Sequence, residues 1–104
     1  MIVIDPKAAA LKPNPFNAIV KQLFVNNNSE ILVLELEPQK QLAPVRVDTN
    51  AFFYILEGSP QIIIENEKQM ISAEALIFCP INSMHCINNL SDSLVRILVI
   101  KQYG

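Results

Sequence analysis

Short runs of aliphatic and aromatic residues alternate with short polar breaks along the whole chain. Residues 18–25 and 30–37 are rich in β-branched and aliphatic side chains, the composition of strands. Between them, Asn26-Asn27-Asn28-Ser29 is turn chemistry, because these side chains bond their own backbone. Residues 38–44 form a polar connector holding Gln39, Lys40 and Gln41. Residues 51–56 are apolar and aromatic and stop at Glu57-Gly58-Ser59-Pro60. A strand is expected over 61–65, then a turn at Asn66-Glu67-Lys68. Short strands follow over 69–72, 75–79 and 85–88, a turn over 88–93, and a last strand over 94–101. Turn signals recur about every eight to twelve residues and no long helical period appears, which is the pattern of an all-β sandwich or barrel.

The N-terminal stretch reads differently. Asp5-Pro6 is a helix start, with Asp as cap and Pro at the first helical position. Residues 7–12 are expected to form a short helical turn that Pro13 and Pro15 stop. Residues 1–16 are therefore taken as a leader and 17–104 as a single β-barrel domain. Gly58 is the one glycine before Gly104, so it marks a backbone position expected at positive φ. Asn residues are expected at the other tight turns, since Asn tolerates the left-handed region.

Composition narrows the partners. Eight Lys and Arg stand against ten Asp and Glu in 104 residues, a formal charge of -2, which argues against a nucleic-acid partner. Charged residues are 17% and apolar residues 51%. An average soluble domain carries about 25% charged residues. The apolar surplus predicts a homodimer that covers an apolar face. The apolar runs fall far short of the roughly 20 residues of a membrane helix. The N-terminus lacks a basic region followed by a long apolar stretch, so a cytoplasmic location is expected. Cys79 and Cys86 make no disulfide scaffold and read as small buried apolar residues; their pairing depends on geometry that sequence does not set.

Two stretches carry a family resemblance. The run from Ala51 through Phe52, Phe53, Tyr54, Ile55, Leu56 and Glu57 to Gly58 resembles the end of the first cupin motif, E-x-x-x-V-L-x-G. The run from Pro80 to Asn89 resembles the second, P-x-G-x-x-H-x-x-x-N, with Pro80, His85 and Asn89 matching in type and spacing. With its flanking strands the resemblance spans residues 30–101. It implies a double-stranded β-helix, the cupin jelly-roll barrel, with a pocket at one end. It also implies that dimers form by packing or exchange of strands.

Departures from the family pattern bear on function. Metal-binding cupins supply a His-x-His pair, a Glu and the His of the second motif. Here the Glu position falls on Ala51, and the His pair on Val45 and Val47, or on Pro44 and Arg46 if the spacing is one longer. His85 is the only motif-matched ligand and the only His in the chain, so no metal and no cofactor are expected. Asp48, Glu65, Cys79 and Cys86 are further donors without support from motif spacing, and strand alternation turns Cys86 away from His85. Glu74 and Asn82 stand in place of second-motif glycines. Asn82 can hold a glycine conformation; Glu74 leaves the local geometry of its turn open.

The resemblance points His85 into the barrel mouth beside Val45, Val47, Ala51 and Phe53, an apolar pocket with one titratable group, with Met84 a further candidate at its rim. Burial without a carboxylate partner favours the neutral ring. Some cupin-fold sugar epimerases pair their His with an Asp and use a Tyr as acid, which makes Asp48 and Tyr54 candidates to test. Asp48-Thr49-Asn50 reads instead as a turn, and Tyr54 is offset by an odd number from Ala51, which turns it outward. Alternation from Val45 and Val47 likewise turns Arg46 outward. Phe52, Phe53, Phe78 and Met70 read as core or interface residues. The leading functional expectation is a metal-free small-molecule-binding domain. The alternatives are an isomerase-like or oxygenase-like enzyme using His85 as base or metal ligand, and a structural dimerisation module.

Overall fold

The computed structural model describes residues 1–15 and 18–103. The expected leader boundary, between residues 16 and 17, lies outside the described residues. Among the described residues ten strands form, in chain order β1 (Ala10–Leu11), β2 (Ile19–Val25), β3 (Ser29–Leu36), β4 (Val45–Arg46), β5 (Asn50–Glu57), β6 (Gln61–Ile64), β7 (Glu67–Met70), β8 (Leu76–Cys79), β9 (Met84–Asn88) and β10 (Val95–Gln102). They build a six-stranded sheet in the order β1-β2-β3-β10-β5-β8 and a four-stranded sheet in the order β4-β9-β6-β7. Every pairing is antiparallel, and the two sheets make a double-stranded β-helix.

Period-two alternation decides what fills the barrel. On β3, Leu32, Leu34 and Leu36 face the interior. On β10 it is Val95, Ile97 and Val99, and on β5 it is Ala51, Phe53 and Ile55. Ile62 and Ile87 answer from the smaller sheet, in register with each other. Phe53, Leu36, Ile55 and Ile97 are among the largest fully buried side chains. The core is thus filled at the Val95 end and thins toward the Val99 end, where the cavity opens.

Turns follow local chemistry, with corrections. Asn26 Oδ1 accepts from the amides of Asn28 and Ser29, both at 2.8 Å, and joins β2 to β3. Asp5 caps a 3-10 turn over Pro6–Ala8 by accepting from the Lys7 amide at 2.9 Å. The helical turn expected over residues 7–12 stops early: Ala10 and Leu11 pair with β2 instead, where strand hydrogen bonds outweigh a short, weak helix. The turn expected at Asn66-Glu67-Lys68 also moves back, because Glu67 and Lys68 join β7 and leave Glu65-Asn66 as the corner.

Gly58 adopts φ 85°, and a Cβ there would lie 2.6 Å from the Leu94 carbonyl oxygen. Of the remaining left-handed positions, Asn82 alone is the Asn expected there; the other three are a glutamine and two glutamates. Among the described residues these positions are Gln39, Glu65, Glu74 and Asn82, with φ between 51° and 73°. Glu74, at φ 73°, holds the left-handed conformation that a glycine adopts readily. Its amide donates to the Ile55 carbonyl at 2.7 Å, which pins the corner. Glu65 is held from both sides by Met84: its amide donates to the Met84 carbonyl, and its carboxylate accepts from the Met84 amide.

The motif residue Asn89 is fully buried and does not line the cavity. Its amide nitrogen donates to the carbonyls of Leu36, Glu37 and Ser93 at 2.8–3.1 Å, and its oxygen accepts from Ser91. It ties the β3 exit to the turn before β10.

Candidate functional site

A cavity of about 350 Å³ opens at one end of the barrel. Val45, Val47, Ala51, Phe53 and His85, the five positions read from the sequence, all line it. Val45 and His85 are register partners on β4 and β9, which places both at the mouth. Val20, Leu32, Leu34 and Val99 complete an apolar wall on the larger sheet. Among the contributors outside the sequence reading are Lys101, near the end of β10, and the segment Lys12–Pro15, which follows β1.

His85 is buried and stacks edge-on against Phe53, ring centroids 5.3 Å apart. Its Nδ1 lies 3.6 Å from Cys79 Sγ. Burial, and secondarily the charge of Lys101, hold the imidazole below its usual range. Burial pushes the Cys79 thiol up; a hydrogen bond with Ser83 works against this and the charge of Glu65 adds to it. Both groups are therefore neutral near pH 7. In the tautomer in which the thiol donates, Nδ1 accepts and the ring proton sits on Nε2. That N–H is the ring's remaining polar group for a molecule entering the cavity.

The other candidates are placed elsewhere. Asp48 is exposed and does not line the cavity, and His85 is oriented by a thiol where the dyad reading needs a carboxylate. Tyr54 is in register with Leu98 and Leu76 on the outer side of the larger sheet. Arg46 reaches the Asn82 carbonyl and, at 3.6 Å, Glu65. Met84 does not line the cavity. Cys86, expected on the opposite face, borders the cavity after all, but its thiol donates to the Leu42 carbonyl at 3.1 Å. Both cysteines are free.

Beside the cavity, Glu30 is buried and gathers a polar cluster. Its carboxylate accepts from Lys12 Nζ at 2.6 Å, Gln22 Nε2 at 2.7 Å and the Tyr103 hydroxyl at 3.3 Å. Burial alone would raise its pKa; hydrogen bonds from Lys12 and Gln22, and the charges of Lys12 and Lys101, hold it below the usual range.

A metal centre does not fit these residues. A stable site needs three or four donors. Val45, Val47 and Ala51 offer none, and no group of three His, Cys, Asp or Glu able to hold an ion occurs among the described residues. The ammonium of Lys101 on the same wall opposes a further cation.

A family model described as "Cupin domain" matches residues 32–101. No curated protein matches the chain. The fold is similar to that of a predicted oxalate decarboxylase from Thermotoga maritima, with TM-score 0.88 and 14% identity over 99% of this chain and 100% of that one. It is similar to the polyketide cyclase RemF from Streptomyces resistomycificus, with TM-score 0.86 and 15% identity over 98% and 79%. A Thermus thermophilus protein gives TM-score 0.83 and 21% identity over 98% and 97%. At such identities the likeness is one of fold, and fold does not carry function. No helix of the described residues is long and apolar enough to cross a membrane.

Proposed function

The chain belongs to the cupin domain family, and from that premise we propose that it is a small-molecule-binding module whose barrel mouth is the binding site. One observation carries this reading: an open, mostly apolar cavity of about 350 Å³ with the imidazole of His85 in its wall. That volume falls in the range of about 300–1,000 Å³ typical of small-ligand sites, which pair apolar walls with a few placed polar groups. The enzyme reading, with His85 as base, has less support. A base needs a partner that stabilises its charged form, whereas burial and Lys101 disfavour that form here. The test is a small-molecule screen followed by ¹H–¹⁵N spectra of wild type and His85→Ala. Hits that move cavity resonances in wild type are expected to bind about tenfold more weakly to the folded variant, the loss of one good hydrogen bond. Absence of cavity hits, or equal binding by the variant, overturns the reading.

For the outer face of the larger sheet the proposed occupant is a second copy of the chain. Phe24, Ile31, Ile100, Phe52 and Phe78 form one cross-strand row there, with the Phe52 and Phe78 rings 5.1 Å apart. Phe78 is 50% exposed and Leu76, in the neighbouring row, 61%. At the flank Glu35 pairs with both Lys21 and Arg96, so the rim carries both signs and meets its own copy without net repulsion. Light scattering is expected to give a dimer for wild type and a monomer for Phe78→Lys. A monomeric wild type refutes the assignment.

A further inference from the structure

The charged groups that line the cavity, Lys12 and Lys101, have a common sign, and this deepens the binding reading on which it rests. Across the larger sheet, the inward row at the mouth runs Glu30, Lys101, Ala51, Cys79 on neighbouring strands. The Cys79 thiol then touches His85 of the facing sheet. Lys101 and His85 thus flank Ala51, the small side chain that leaves room between them.

Charge does not cancel in this row. The Glu30 carboxylate already accepts from Lys12, Gln22 and Tyr103. Lys101 Nζ stays 3.7 Å from it, an ion pair too long for a hydrogen bond. Two ammonium groups against one carboxylate leave one positive charge at the cavity. Among the described residues, Lys101 Nζ makes no hydrogen bond, so its donors remain for another partner. His85, with Nδ1 turned to the thiol, offers a second donor. The walls around these two donors are Val20, Leu32, Leu34 and Val99.

We infer that the cavity takes a small monoanion with an apolar body, its carboxylate or equivalent group accepting from Lys101 Nζ and the His85 ring N–H while the apolar part lies on the larger sheet. A neutral hydrocarbon leaves both donors unmatched, and a cation meets the Lys101 charge. A charge-assisted pair in a partly desolvated site is stronger than its neutral counterpart.

The test compares hexanoate with 1-hexanol, which share a tail and differ in charge, by ¹H–¹⁵N titration of the full chain. Wild type is expected to bind hexanoate about tenfold more tightly than 1-hexanol, with the His85 ring signals moving. Lys101→Met is expected to lose the preference while still binding the alcohol, and Lys101→Arg to keep it. Lys68→Met, on exposed β7 of the smaller sheet, is expected to leave it unchanged. Equal binding of acid and alcohol by wild type overturns the anion assignment and leaves the cavity reading standing. Binding of neither probe in the cavity overturns both. A preference that survives in folded Lys101→Met also overturns the assignment. If that variant does not fold, the wild-type pair of titrations decides alone, since they need no mutant.

Discussion

The Cys79 thiol and Nδ1 of His85 meet at 3.6 Å across the barrel, one from β8 of the larger sheet and one from β9 of the smaller. Here the thiol occupies one side of the ring and leaves the other for the cavity. The pair has a spectroscopic consequence. In Cys79→Val, nearly isosteric, the ring loses the donor that fixes its tautomer. The ¹⁵N shifts of His85 are expected to move from a single Nε2–H form toward a mixture, with stability changed by no more than about 1.5 kcal/mol. Unchanged shifts would reduce the contact to packing.

Acid titration tests the electrostatics of the same ring. Burial and Lys101 lower the pKa of His85 in the folded chain below the ordinary value of 6.5. The unfolded chain then binds more protons in the window below 6.5, so this group lowers stability as pH falls from there to the folded-state pKa. Above the window both states are neutral and the contribution is nil. The urea midpoint of wild type is expected to fall across that window more steeply than that of His85→Gln. In Lys101→Met the ring pKa, followed by proton NMR, is expected to rise. A ring titrating at or above 6.5 in wild type contradicts the burial argument.

Asn89 belongs to the same motif as His85 but does different work. One side-chain amide satisfies three backbone carbonyls in the interior. Asn89→Ala leaves these carbonyls without that donor and is expected to cost about 3 kcal/mol of stability, read from the denaturant midpoint. Binding by the folded fraction is expected to be unchanged.

Gly58 provides a backbone test. An alanine Cβ would meet the Leu94 carbonyl at 2.6 Å while the backbone stays at φ 85°. Gly58→Ala is expected to cost about 2 kcal/mol or more, from left-handed strain and overpacking together. A change of less than about 0.5 kcal/mol would show that β10 can shift to admit the methyl.

The chain's own pattern of short apolar runs and turns determined most of the strands and the barrel class, because these are local signals, while Val45, Val47, Ala51, Phe53 and His85 were placed at the mouth by the motif resemblance. Strand parity marks two residues that the sequence reading passed over. Glu30 continues the inward series Leu32, Leu34, Leu36, and Lys101 continues Val95, Ile97, Val99, so both charges were legible as inward-facing. Their pairing was not, since it depends on the register of β3 against β10. Tertiary structure alone decided that Lys12 reaches back to Glu30, that β1 adds to the larger sheet, and that His85 meets Cys79 where Asp48 was a candidate. It also decided that glutamates and a glutamine hold left-handed corners expected of Asn. The physical reason is common to these cases. Each depends on where one strand closes against another distant in sequence, and sheet closure and core packing set that register and can impose a backbone conformation against local preference.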